Sequence, residues 1–62
     1  MKEFDIVRII TNDYCKEGVK AGDIGVILED YKDGYFEVEF SDSKGNTILL
    51  CSFNKNELEL VE

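Results

Sequence analysis

Between Gly22 and Phe53 the chain carries three apolar, β-branched windows cut by two turn clusters, and this punctuation narrows the possible folds more than any other feature. The windows are Ile24–Tyr31, Tyr35–Ser41 and Thr47–Phe53, separated by Lys32-Asp33-Gly34 and by Asp42–Asn46. Short apolar runs bounded by Gly, Asp, Asn and Ser read as a meander of strands rather than as helices. Tyr35–Ser41 alternates most cleanly, with Phe36, Val38 and Phe40 on one face and Tyr35, Glu37, Glu39 and Ser41 on the other. The first set is expected in the core, because successive strand residues point to opposite faces.

The turn between the first two windows sets a register. If Lys32-Asp33-Gly34 is a hairpin loop with Gly34 at positive φ, Tyr31 faces Tyr35 and Glu29 faces Glu37. The same count places Leu28 opposite Val38 and Val26 opposite Phe40 inside, and Ile27 opposite Glu39 outside. A slip of one residue would turn one of these apolar sets to solvent.

The flanks complete the fold. Phe4–Ile10 reads as a first strand, and Thr11–Gly22 as a long loop with a short turn of helix, whose Val19 and Ala21 can tuck inward. Gly25, just inside the second strand, signals a bulge or a close backbone approach. Thr47–Phe53 is apolar on both faces; Asn54–Asn56 reads as a 3-10 turn before a last strand, Glu57–Val61, in which Leu58 and Leu60 alternate with Glu57 and Glu59. The chain is expected to form a single all-β domain over residues 1–62. Its predicted core is Ile6, Val7, Ile9, Val26, Leu28, Phe36, Val38, Phe40, Leu49, Leu58 and Leu60.

Composition restricts function. A chain of 62 residues buries only about 60% of the surface it exposes when unfolded, which leaves little room for a deep substrate cavity. Fourteen Asp and Glu against seven Lys and Arg give a formal charge of -7. Such a surface repels phosphate backbones, so nucleic acid is disfavoured and a basic protein partner favoured. Cys15 and Cys51 lie far apart and no histidine accompanies them, so neither a metal site nor a cofactor is expected. Lys2, Glu3, Asp5 and Arg8 interrupt any apolar run at the amino terminus; no signal peptide or membrane span is expected, and the location inferred is cytoplasmic, with reduced thiols.

Several segments together carry a likeness to a known family: Phe4-Asp5-Ile6-Val7-Arg8, Lys20-Ala21-Gly22-Asp23-Ile24-Gly25-Val26-Ile27, Tyr35-Phe36-Glu37-Val38-Glu39-Phe40 and Leu58-Glu59-Leu60-Val61. The pattern resembles SH3-like barrels of the kind seen in KOW-type domains and in several small bacterial protein families. The resemblance implies a small five-stranded barrel that is monomeric or weakly dimeric. Members bind nucleic acid, ribosomal proteins, peptides or larger enzyme subunits, and some small free-standing ones look like immunity or antitoxin partners of a toxin. RNA-binding KOW-type members usually offer basic residues, whereas Glu29, Asp30, Asp33, Glu37 and Glu39 crowd one hairpin here.

Two candidate surfaces follow. Glu29 opposite Glu37 is a like-charge cross-strand pair, which carries a cost in stability. With Asp30, Asp33 and Glu39, and with Tyr31 and Tyr35 as rigid anchors, it is a candidate partner-binding surface. Asp13, Tyr14 and Glu17 in the long loop are the second, unless Tyr14 lies across the mouth of the barrel. Paired carboxylates on a solvated face lack the burial that tunes a general acid, and no histidine is available as a base, so no catalytic residue and no enzymatic activity are expected. The expected function is an acidic interaction module that blocks the active cleft of a basic, nuclease-type toxin. A KOW-like nucleic-acid or ribosome-associated module and an accessory subunit of a larger enzyme are the alternatives.

Overall fold

The apolar windows become strands, and the turn clusters become the bends between them. The computed structural model describes residues 1–61. Strands β1 (Ile6–Ile9), β2 (Ile24–Asp30), β3 (Tyr35–Ser41), β4 (Thr47–Asn54) and β5 (Leu58–Leu60) form one antiparallel sheet in the order β4-β3-β2-β1-β5. Two short 3-10 turns, Cys15–Glu17 and Lys55–Glu57, lie in the connections, and among the described residues there is no α-helix. Strands β4 and β5 are the two edges of the sheet.

One apolar cluster holds the sheet together. Val7, Ile9, Ile27, Phe36, Val38, Phe40, Phe53 and Leu58 come from all five strands, and Val19 joins them from the long loop. The sheet therefore wraps around a single core. The rings of Phe40 and Phe53 meet edge to face, with centroids 5.4 Å apart, an arrangement that adds to the burial of the rings themselves.

The hairpin register holds near its turn and fails further along. Tyr31 N donates to Tyr35 O at 3.1 Å and Gly34 takes φ +92°, as the loop requires. Glu29 lies opposite Glu37. Beyond that pair a bulge at Leu28 shifts the ladder by one residue, so that Ile27, not Leu28, faces Val38, and Gly25, not Val26, faces Phe40. Ile27 is fully buried, whereas Val26 and Leu28 are half-buried, reversing the expected faces. Crowding at Phe40 supplies the reason. A Cβ on Gly25 would stand 2.8 Å from Glu39 O and 2.8 Å from Phe40 Cε1; the inward position opposite Phe40 has no room for a valine. The bulge lets glycine occupy it and sends Val26 to the other face.

Other expectations are corrected at the margins. Strand β1 starts at Ile6, because Phe4 takes φ +71° and its N–H donates to Ile27 O at 2.7 Å. Ile6 and Leu60, expected in the core, are exposed, while Phe53 and Val19 are fully buried. A second irregularity between Phe40 and Ser41 leaves Ile48 out of register, with Leu49 opposite Phe40.

Candidate protein-interaction face

The acidic residues divide by chemistry. Asp has a short side chain that reaches its own turn, and five aspartates here accept backbone N–H groups. Asp5 accepts from Lys2 at 3.0 Å, Asp23 from Lys20 at 3.0 Å, Asp30 from Lys32 at 2.8 Å and Asp33 from Tyr35 at 3.1 Å. Asp42 accepts from Lys44 at 2.8 Å and from Asn46 at 2.9 Å. These N–H donors hold the Asp42 carboxyl below its ordinary value, and Asp5 is lowered likewise, first by Lys2 through its side chain and backbone. Asp30 and Asp33, grouped with the glutamates by sequence, are thus fasteners of the hairpin turn.

The glutamates are placed differently. Glu29 and Glu37 sit directly opposite one another and Glu39 lies farther along β3, all pointing away from the Phe36-Val38-Phe40 side. Among the described residues the salt bridges are Lys2–Asp5, Arg8–Glu59, Lys20–Asp23 and Lys32–Asp30, so none of these three glutamates has a cation beside it. Glu37 and Glu39 instead have hydroxyl partners. Tyr31 donates to Glu37 Oε1 at 2.9 Å and Thr47 donates to Glu39 Oε2 at 2.5 Å. Accepting that bond, Glu37 pushes the Tyr31 hydroxyl above its ordinary pKa. Tyr31 and Tyr35 flank the pair at 43% and 44% exposure, enough ring to serve as contact area. The structure therefore brings together Glu29, Glu37, Glu39, Tyr31 and Tyr35 on one face, with Asp30 and Asp33 at its turn.

Phe4, which sequence reasoning placed in a strand, adjoins this end of the hairpin. It lines a shallow hollow with Lys2, Glu3, Asp30 and Lys32 and is the most exposed large apolar side chain. Nothing in the sequence distinguishes it from the apolar run that follows.

The long loop is built around its tyrosine. Tyr14 packs on Phe53 with ring centroids 4.6 Å apart and donates to both Glu57 oxygens at 3.1 and 3.0 Å. Glu57 also accepts from Asn54 N at 2.9 Å, and Asn56 N donates to Asn54 Oδ1 at 2.8 Å, capping the 3-10 turn before β5. Burial, followed by the Glu57 bond, pushes the Tyr14 hydroxyl up to about 12. Asn12 Oδ1 accepts from Ala21 N at 2.9 Å and closes the loop across its base. Tyr14 thus takes part in the packing of the loop and is half-buried, whereas Asp13 and Glu17 of the second candidate surface are exposed.

Cys15 and Cys51 are both free thiols, and burial pushes the half-buried Cys51 up. Among the described residues no group of three or more Cys, Asp or Glu side chains could hold a metal ion. Among the described residues no helix is long and apolar enough to cross a membrane. Comparison with curated proteins and with solved structures gives no match. A model for a domain of unknown function, DUF4926, matches residues 3–60, and the chain belongs to that family.

Proposed function

We propose that this chain is a non-enzymatic interaction module whose β2–β3 face receives a basic protein, in the manner of an immunity or antitoxin protein that occupies the phosphate-binding cleft of a nuclease-type toxin. The observation that carries the reading is the row Glu29, Glu37 and Glu39, with no cation beside it among the described residues while Lys2, Lys20 and Lys32 sit beside turn aspartates. A like-charge pair directly across two strands is unfavourable by itself and becomes favourable once a cationic surface covers it. Tyr31 and Tyr35 supply amphipathic area beside the charge. A last strand that returns to pair with the first, after a 3-10 turn, supports the likeness to SH3-like barrels, but that likeness selects no activity.

The test compares capture from a native extract by the parent chain and by a Glu37→Lys, Glu39→Lys variant, at low and high salt. A basic protein retained at low salt, released at high salt and absent from the variant is the expected result. Equal capture by a variant that folds as the parent does overturns the reading. The accessory-subunit reading is favoured by one observation, the exposure of Ile6, Ile24, Leu50 and Leu60, and it predicts retention that salt does not disturb.

A further inference from the structure

The edge of the sheet at β4 is irregular at its start, where Ile48 falls out of register beside Gly18 of the long loop, but from Leu49 onward it has neither charge nor proline to protect it. Natural edges are blunted by shortness, charge or proline. The opposite edge, β5, has three residues and carries Glu59. Strand β4 is eight residues long, Thr47–Asn54, with neither a charged residue nor a proline.

Its open backbone groups can be assigned. Lys55 N donates to Gly34 O at 2.9 Å, which makes Gly34 and Lys55 a hydrogen-bonded pair. Bonded and non-bonded pairs alternate along an antiparallel ladder, so Phe53, Cys51 and Leu49 bond to β3. Leu50 and Ser52 consequently turn their N–H and C=O groups away from β3, towards the open edge. Both residues are exposed. The amide of Asn54 is already held by Glu57, so the usable edge centres on Leu50 and Ser52.

Charge selects the occupant. On the outward face Leu50 lies beside Glu39 and Ser52 beside Glu37. Strands in a sheet are about 4.8 Å apart, so a Lys or Arg on a strand added to β4 can reach across it to these carboxylates. A second copy would instead set another acidic face against the same seam. We propose that the β4 edge is a strand-docking site for an extended basic segment of a protein partner, which pairs with Leu50 and Ser52 and places cations over Glu37 and Glu39. This site rests on the acidic-face reading above and extends it with main-chain pairing, as in other complexes formed by strand addition.

The experiment titrates the full chain with a blocked peptide of about eight residues that alternates valine and lysine, and with a twin N-methylated at alternate backbone nitrogens. Amide hydrogen exchange at Leu50 and Ser52 is the readout. The unmodified peptide is expected to slow both amides by about tenfold or more, and the N-methylated twin to lose most of the affinity. If both peptides bind equally, are released by salt and leave Leu50 and Ser52 unchanged, the docking edge is overturned while the acidic face stands. Binding by neither overturns both. Protection of the two amides that rises with protein concentration, without peptide, overturns the proposal in favour of a second copy.

Discussion

At the residue scale, Gly25 and Tyr14 are the positions where a single group decides most. A methyl group on Gly25 would meet the backbone oxygen of Glu39 as well as the Phe40 ring. Gly25→Ala is therefore expected to cost roughly 1–3 kcal/mol in denaturant unfolding, although alanine is otherwise the better residue in an ordered chain. Tyr14→Phe keeps the ring on Phe53 and removes only the donor to Glu57, with an expected loss of about 1 kcal/mol at neutral pH. Its pH signature has a definite sign. The folded protein holds the Tyr14 proton up to about 12, against 10.0 for the free group. The stabilisation is complete below pH 10.0 and is lost as pH rises towards 12. Alkaline unfolding curves should fall more steeply over that interval for the parent than for Tyr14→Phe. Sequence alone separated the apolar residues of β3 from the charged ones without error, because strict alternation leaves no other choice. It did not separate turn-fastening aspartates from face glutamates, since formal charge treats them alike. The difference lies in reach: one methylene fewer lets Asp30 and Asp33 find an amide two residues on.

At the scale of elements, the five strands were legible and the second one was half misread. Its hairpin turn determined the local register, which holds through Glu29 and Glu37. A bulge of one residue then inverts everything beyond it. Glycine at position 25 marked the close backbone approach at its own place, whereas the extra residue, Leu28, carries no sign in the sequence. A pair of lysine substitutions tests the observed faces. Ile27→Lys buries an unpaired charge in the core and is expected to cost more than about 3 kcal/mol, enough to prevent folding of so small a domain. Val26→Lys, on the half-buried outer side, is expected to leave a folded protein with a loss of about 1 kcal/mol. Circular dichroism of the two variants distinguishes them; the opposite ranking would restore the unbulged register. Phe53 escaped the expected core because β4 is apolar on both sides and offers no alternation to read.

At the scale of the whole molecule, net charge and its distribution have separate effects. The formal charge of -7 resides on a body only 28 × 22 × 20 Å, so self-repulsion opposes compaction. Raising ionic strength from low to physiological is expected to lift the melting temperature by roughly 4 °C, as screening shortens the range of that repulsion; no change would mean that the turn ion pairs already balance it. The placement of lysines in turns, with Lys2, Lys20 and Lys32 beside aspartates, has a further effect. Local neutralisation at these three turns does not extend to Glu29, Glu37 and Glu39, so the β2–β3 face keeps its negative charge. Because screening confines that field to about 8 Å at physiological ionic strength, less than half of any dimension of the body, it cannot draw a partner from a distance. On the proposed reading its effect would be a torque at close range, one that turns the hairpin towards a cationic surface.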